Sequence, residues 1–571
     1  FVGVDVFFVI SGFLIIGIIL EGLKTRTFSL ADFYARRVRR IFPALILVLV
    51  AVWGLGWHFM LPEDFRELGK QIFAGAAFGS NLLTYSQVGY FDAPAATKPL
   101  LHLWSLGVEE QFYLVTPLAL IALANSRIPM AWALGVAAAA SFALNILVVR
   151  YDQAAAFYLP FTRFWELLVG GGLAYTALHR PEKLALAQHW GFSCVGLVLI
   201  GGSTLVTPAA LFPGWWAVPP VLGSALIIAA GPNTAFNRAL GSPIPVGIGL
   251  ISYPLYLWHW PLLVFIQQEL FLAHGLFLIL LATSVTLAGA TYLLVERPAR
   301  TFRLRPIALG AVATMVFAAA VGGETVEAGG IPRRYNPPLP SIFLPVPAPT
   351  NVAAALETGN IAGPKVLLWG DSHAGHLIPG FMEVRKARPI RIYGESFSDC
   401  PPTRVRAESA REHCSEEIAT IERRVAQLQP DIAILASYWP YHDRLEGLAE
   451  PLNFLQRLGV PRIVVVGYVP RWLKPLRTVV LRAYLRNPSQ PVPERLSNFV
   501  VINPAVEKTV RDVSARLGAR YIAPMLTLCN NEGCLVRVGD QPGDLMQFDD
   551  NHFSVAGSRF FVRSVASQFL D

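Results

Sequence analysis

The sequence runs to 571 residues with 47 Lys+Arg against 39 Asp+Glu, a formal charge of +8; 54% of its residues are hydrophobic and only 15% are charged. Soluble domains carry roughly 25% charged residues, so the composition excludes a disordered chain, a collagen and an ordinary cytosolic enzyme. A charge of +8 with no dense basic tract also excludes nucleic-acid binding. What remains is a multi-span membrane protein of more than one domain.

Residues 1–322 hold repeated apolar runs near the roughly 20 residues a membrane helix needs. Ten spans are predicted, at 4–20, 41–61, 100–124, 131–149, 163–178, 191–208, 215–230, 246–268, 276–295 and 306–322. The stretch 71–88 is broken by Gly75, Gly79, Ser80, Asn81 and Gln87 and reads as a re-entrant or interfacial piece. Loop charge supports that count, because basic residues gather on the cytoplasmic side. One side receives Lys24, Arg26, Arg36, Arg37, Arg39, Arg40, Arg127, Arg180, Lys183, Arg238, Arg297, Arg300, Arg303 and Arg305; the other receives chiefly Arg66, Lys70, Lys98 and Arg150. Everything after residue 322 is then expected outside the cytoplasm. Phe1 opens almost directly into a helix with no Met, basic n-region or cleavage site, which reads as a truncated chain that has lost one upstream helix.

Between 323 and 350 the composition is that of a linker, with Gly329-Gly330 followed by seven prolines from Pro332 to Pro349. Such a stretch is extended, semi-rigid and not expected to join a packed core. Beyond it, strand-like runs (Val366–Trp369, Ile432–Ala436, Arg462–Gly467, Tyr521–Ala523) alternate with helical stretches such as Ser415–Leu428 and Pro504–Leu517. That order predicts an α/β domain with a parallel sheet over 351–571. Cys400 and Cys414 lie 14 apart and Cys529 and Cys534 lie 5 apart. Without a CxxC or His-rich pattern, two disulfides are expected in preference to a metal site.

The run Val366-Leu-Leu-Trp-Gly370-Asp371-Ser372-His373 is a buried strand ending in a turn, with a serine where open α/β sheets place their sites. A serine hydroxyl needs a base to become nucleophilic, and Asp549-Asp550-Asn551-His552 stands near the chain's end. An aspartate three residues before a histidine can orient the imidazole while its other nitrogen faces the serine. Either block alone also reads as a turn or a helix cap; the pair at opposite ends of one α/β domain points to catalysis.

This pairing resembles the SGNH (GDSL-like) hydrolases. The resemblance implies Ser372 as nucleophile and first oxyanion donor, His552 as base and Asp549 as its orienter, with Asp550 the weaker choice. The second oxyanion donor best matches Gly394 in Ile392-Tyr-Gly-Glu. The asparagine of the family's third block has no counterpart in Ile432-Ala-Ile-Leu-Ala-Ser-Tyr-Trp439. Ser437 and Trp439 are its only stand-ins, and packing is the favoured reading of Trp439.

Phe1–Leu14, Phe33–Pro43, His102–Tyr113 and Ser252–Pro261 together resemble four motifs of the acyltransferase family 3 membrane proteins, in order. The architecture implied is an acyltransferase-3 membrane domain fused to an SGNH domain, as in bacterial O-acetyltransferases of O-antigen and other envelope glycans. Asp5, Glu109, Glu110, Arg163, Glu166 and His259 lie in or beside spans, where ionisable groups mark a pathway or a partner. The resemblance favours Arg36, Arg37 and Arg40, with Glu109 and Glu110, as an acyl-CoA site; a positive-inside anchor and a helix–helix ion pair are the bland alternatives. The family's catalytic histidine sits in a helix upstream of Val2-Gly-Val-Asp5, so neither His102 nor His259 inherits that role. The expected donor is acetyl-CoA or another acyl-CoA, with no bound cofactor and no metal. The expected acceptor is an envelope polysaccharide or lipid-linked glycan, and membrane lipid surrounds the spans of a bacterial inner-membrane protein whose C-terminal domain is periplasmic. An acetyl-esterase in the soluble half and a non-catalytic glycan-binding or transport module are the competing functions.

Overall fold

The computed structural model describes residues 2–571 except 88–96, 186–187, 207–211, 270–275, 302–304, 336–338, 344–361, 396–401, 403–411, 440–444, 498–499 and 502. It divides into two compact units, Phe1–Pro332 and Arg333–Asp571.

Each predicted span coincides with a helix of the first unit. Among the described residues, seven helices are long and apolar enough to cross a membrane: Val2–Lys24, Leu30–Phe59, Leu103–Ala124, Met130–Val148, Pro243–Ile266, Leu278–Thr301 and Ala308–Glu327. Phe164–His179, Trp190–Val206 and Val218–Ala229 are shorter, at 16, 17 and 12 residues. Of the broken stretch 71–88, residues 71–87 are described, and they hold the end of Pro62–Ala76 and one short helix, Ser80–Ser86. Small residues set the closest helix pair. A Cβ on Gly12 would stand 1.8 Å from the Leu167 carbonyl oxygen, and one on Gly170 would stand 2.0 Å from that of Val9, so Val2–Lys24 and Phe164–His179 touch backbone to backbone.

That approach buries an ion cluster. Arg163 Nη2 lies 2.6 Å from Asp5 Oδ1 and its Nε 3.2 Å from Glu166 Oε1, with all three side chains fully enclosed. The guanidinium sits among four rings, from 5.5 Å (Phe212) to 6.0 Å (Trp104). Removing the cation would leave two facing carboxylates in an apolar cage, which costs about 3–5 kcal/mol. Arg163→Leu is therefore expected to lower the thermal midpoint of the detergent-solubilised chain sharply, whereas a shift of a degree or two would show the cluster to be energetically idle.

Among the described residues the second unit has ten strands: β1 Lys365–Gly370, β2 Arg391–Glu395, β3 Ile432–Ala436, β4 Arg462–Val466, β5 Arg471–Trp472, β6 Arg495–Leu496, β7 Val500–Val501, β8 Arg520–Ile522, β9 Cys529–Asn530 and β10 Gly533–Leu535. Five form a parallel sheet in the order β2-β1-β3-β4-β8. The continuous apolar runs of β1, β3 and β4 follow from cover on both faces. Leu367 and Trp369 enter a core with Ile421, Val465 and Val510. On another surface, Ile378–Ala387 packs against Val555–Ser564, where Gly380 N–H donates to Ser558 Oγ at 3.0 Å. These two helices follow the serine block and the histidine block in sequence, which draws both blocks to one end of the sheet.

Two expectations change. The last membrane helix extends to Glu327, and the predicted linker does join a core: Ile342 and Phe343 are buried, Ser341 donates to the Asp540 carbonyl at 2.9 Å, and Phe343 packs on Tyr484. The described parts of the segment are not extended: Pro332–Arg334 and Ser341–Phe343 are single 3₁₀ turns, and the second carries the two buried apolar residues. The Cys529–Cys534 disulfide is formed across β9 and β10. Cys400 and the side chain of Cys414 lie outside the described residues.

Candidate functional site

β1 ends at Gly370, where a Cβ would stand 1.7 Å from the Ala436 carbonyl oxygen of β3, so only glycine lets the chain turn there. Asp371 then caps the short helix Ser372–Gly375. Its Oδ1 accepts the His373 N–H at 2.8 Å, and its Oδ2 accepts Ser437 Oγ–H at 2.6 Å and Tyr438 N–H at 2.8 Å. Burial raises the Asp371 pKa above 3.8 although these hydrogen bonds oppose the shift. Asp371 thus locks the ends of β1 and β3 and fixes the base of the serine turn.

Ser372 Oγ lies 2.7 Å from His552 Nε2, and His552 Nδ1 lies 2.6 Å from Asp549 Oδ2. Asp549 Oδ1 also accepts the main-chain N–H groups of Asn551 and His552, at 2.9 and 2.6 Å. Burial alone would raise the Asp549 pKa, but the His552 ring and these two N–H groups hold it below 3.8. Asp550 instead pairs with Arg471 Nε at 3.3 Å, and burial, then the neighbouring Asp549 charge, raises its pKa. With His552 donating from Nδ1 to Asp549, Nε2 is free to accept the serine proton.

Other predicted residues stand apart from this chain. Gly394 lies inside β2 level with Leu368, two residues short of the strand end that carries the serine. The Ser437 hydroxyl is committed to Asp371. Trp439 is a core residue whose Nε1–H donates to the Val466 carbonyl at 2.8 Å. Neither Ser437 Oγ nor Trp439 Nε1 is thereby directed at an oxyanion.

Two buried histidines flank the base, with no special spacing in the sequence to mark them. The His373 ring is 4.6 Å from His552, and His376 Nδ1 accepts the Phe553 N–H at 3.3 Å. Burial first, and then the His552 charge, pushes both well below 6.5. An unfolded chain takes up protons on them near pH 6.5 and the folded one does not, so the stability they confer is full above that pH and lost as pH falls below it. Denaturation followed by tryptophan fluorescence is expected to show up to about 1.4 kcal/mol lost per pH unit per histidine, with the slope flattened in His376→Gln.

In the first unit Glu109 accepts the hydroxyls of Ser11 and Tyr113. The Arg37 guanidinium lies over the Tyr113 ring at 5.6 Å, and Arg37 and Arg40 both act electrostatically on Glu109 and Glu110. The structure thus groups four of the five predicted membrane-site residues; Arg36 is exposed and joins no such contact among the described residues. Ser11 and Tyr113 complete the cluster: Tyr113 lies one turn along the helix from Glu109, whereas Ser11 reaches it only through the packing of Val2–Lys24 on Leu103–Ala124.

Residues 1–295 match the acyltransferase domain family (Acyl_transf_3), and residues 348–567 match the SGNH domain fused to AT3 domains. An uncharacterized protein of Haemophilus influenzae is 37% identical over 236 residues, 39% of this chain and 96% of that one. The peptidoglycan O-acetyltransferase OatA of Listeria monocytogenes is 30% identical over 281 residues, 46% of this chain and 45% of that relative, so the chain spans less than half of its length. The periplasmic domain of a Salmonella ser. Paratyphi A lipopolysaccharide acetyltransferase covers 38% of this chain and 88% of its own at 19% identity, with a TM-score of 0.34.

Proposed function

We propose, for a chain that belongs to the acyltransferase 3 family and is a multi-pass membrane O-acyltransferase with a fused SGNH domain, that it carries an acetyl group from cytoplasmic acetyl-CoA to a sugar hydroxyl of an envelope glycan. The acceptor is peptidoglycan-like or an O-antigen, the membrane is the bacterial inner membrane, and the second unit works in the periplasm. What carries the reading is the hydrogen-bonded line Ser372–His552–Asp549, at 2.7 and 2.6 Å, in a domain fused to an acyltransferase.

His552 Nε2 takes the Ser372 proton as Oγ attacks the acyl carbonyl carbon delivered by the membrane unit. As the bond to the carrier breaks, His552 passes that proton to the departing carrier atom and an acyl-serine ester forms. A sugar hydroxyl then gives its proton to His552 and attacks the ester carbon, and His552 returns the proton to Ser372 Oγ as the ester bond breaks. The Ser372 main-chain N–H, at the start of its helix, faces the developing oxyanion. On the cytoplasmic side Arg36, Arg37 and Arg40 hold the phosphates of the CoA donor, with Glu109 and Glu110 behind them.

Membranes carrying the chain, incubated with isotope-labelled acetyl-CoA, are expected to yield a labelled acetyl ester on the Ser372 peptide by mass spectrometry, and labelled glycan when acceptor is added. An unlabelled Ser372 beside labelled glycan would overturn the serine relay. Loss of acetyl from preformed glycan without any CoA would replace it with an esterase.

A further inference from the structure

The loop that carries the base and its orienter folds back on itself. Phe548 N–H donates to the His552 carbonyl at 3.1 Å, and the turn lays the Phe548 ring nearly parallel to the imidazole, centroids 5.6 Å apart and planes 17° from each other. One face of the phenyl ring is thus occupied, yet the residue stays 46% exposed. Two residues along the same loop, the Asp550 carbonyl accepts the Trp472 N–H at 2.8 Å, which brings Arg471, whose guanidinium also lies over the Tyr438 ring at 5.8 Å, to the Asp550 carboxylate, and both members of that ion pair keep solvent access. A half-bare aromatic plate therefore stands next to the catalytic base, with a part-exposed ion pair two residues along its loop.

A pyranose has the complementary surface. Its C–H bonds form a weakly positive face that packs on the negative face of an aromatic ring, and its edge carries hydroxyls that bond to charged groups. Sites of this composition, an apolar wall with a few placed polar groups, are how small ligands are oriented. We propose that Phe548 is the acceptor platform. It stacks a sugar ring of the glycan on its exposed face while Arg471 and Asp550 take hydroxyls at the edge, so that the acyl group on Ser372 meets a sugar before it meets water. The inference rests on the acyl-serine reading above and adds to it how the acceptor is chosen.

The test uses the full chain in lipid nanodiscs, p-nitrophenyl acetate as acyl donor, and two acceptors in competition at equal hydroxyl concentration. Cellotetraose presents ring faces; sorbitol is an acyclic polyol without one. The ratio of their acetyl esters is read by mass spectrometry within each variant, so a slower or less stable variant does not shift it. The wild type and Phe548→Trp are expected to favour cellotetraose by about tenfold, and Phe548→Ala and Phe548→Leu to fall to near parity, since Leu keeps the apolar volume and loses the ring. An unchanged ratio in Ala and Leu overturns the platform. Transfer that persists in Ser372→Ala would instead overturn the acyl-serine reading beneath it.

Discussion

Ser372→Ala is expected to lower acetyl transfer to glycan by roughly 10³–10⁶-fold, the span over which nucleophile knock-outs of such triads fall. The size follows from the geometry. His552 Nε2 is 2.7 Å from Ser372 Oγ and its other nitrogen is engaged by Asp549, so among the described residues no second hydroxyl bonds to the base. The neighbouring Ser437 hydroxyl is turned into Asp371 and cannot substitute. His552→Ala is expected to match that loss, and the double variant to add little, because the two groups perform one proton transfer and not two independent ones. The measurement is the initial rate of labelled acetyl entering isolated glycan from acetyl-CoA in membranes. A Ser372→Ala chain that keeps a tenth of the wild-type rate would mean that the second unit does not carry the acyl group covalently.

The parts of this site that could be read without coordinates are those whose geometry is local. A strand of Val, Leu and Trp closing on Gly-Asp-Ser constrains where the serine points, and an aspartate three residues ahead of a histidine can reach its own ring across one turn. Sequence-distant geometry was opaque. Asp5 meets Arg163 across 158 residues because Gly12 and Gly170 let two helices touch, and no periodicity in either segment announces that pairing. Gly394 matched a motif by composition, while the register of β2 on β1 decides its level and sets it beside Leu368. The span from 323 to 350 shows a related limit: its proline content conceals that Ile342 and Phe343 are buried, on a 3₁₀ turn. The ten apolar runs all fall on helices, because a long apolar run needs no partner to declare itself, but run length does not set helix length, and three of them form helices of only 16, 17 and 12 residues.

Asp549→Asn and Asp550→Asn separate two adjacent carboxylates that composition alone cannot tell apart. Asp549 accepts from His552 Nδ1 at 2.6 Å, whereas Asp550 faces Arg471 at 3.3 Å on a part-exposed rim. An amide at 549 can turn its NH₂ toward the ring, favour the tautomer with the proton on Nε2, and take away the base that Ser372 needs; the loss expected is about 10⁴-fold. An amide at 550 removes half of a part-exposed ion pair worth about 0–1 kcal/mol, and a loss of about tenfold or less is expected. Acidity adds a second reading. The hydrogen bonds on Asp549 keep its carboxyl below 3.8 despite burial, so it remains ionised as pH falls toward that value, while Asp550, shifted upward by burial and by Asp549, takes its proton earlier. The Asp549→Asn deficit, measured as hydrolysis of p-nitrophenyl acetate by the full chain, is accordingly expected to be as large at about pH 5 as at about pH 8. Equal losses in the two variants would move the orienting role off Asp549 and onto the loop as a whole.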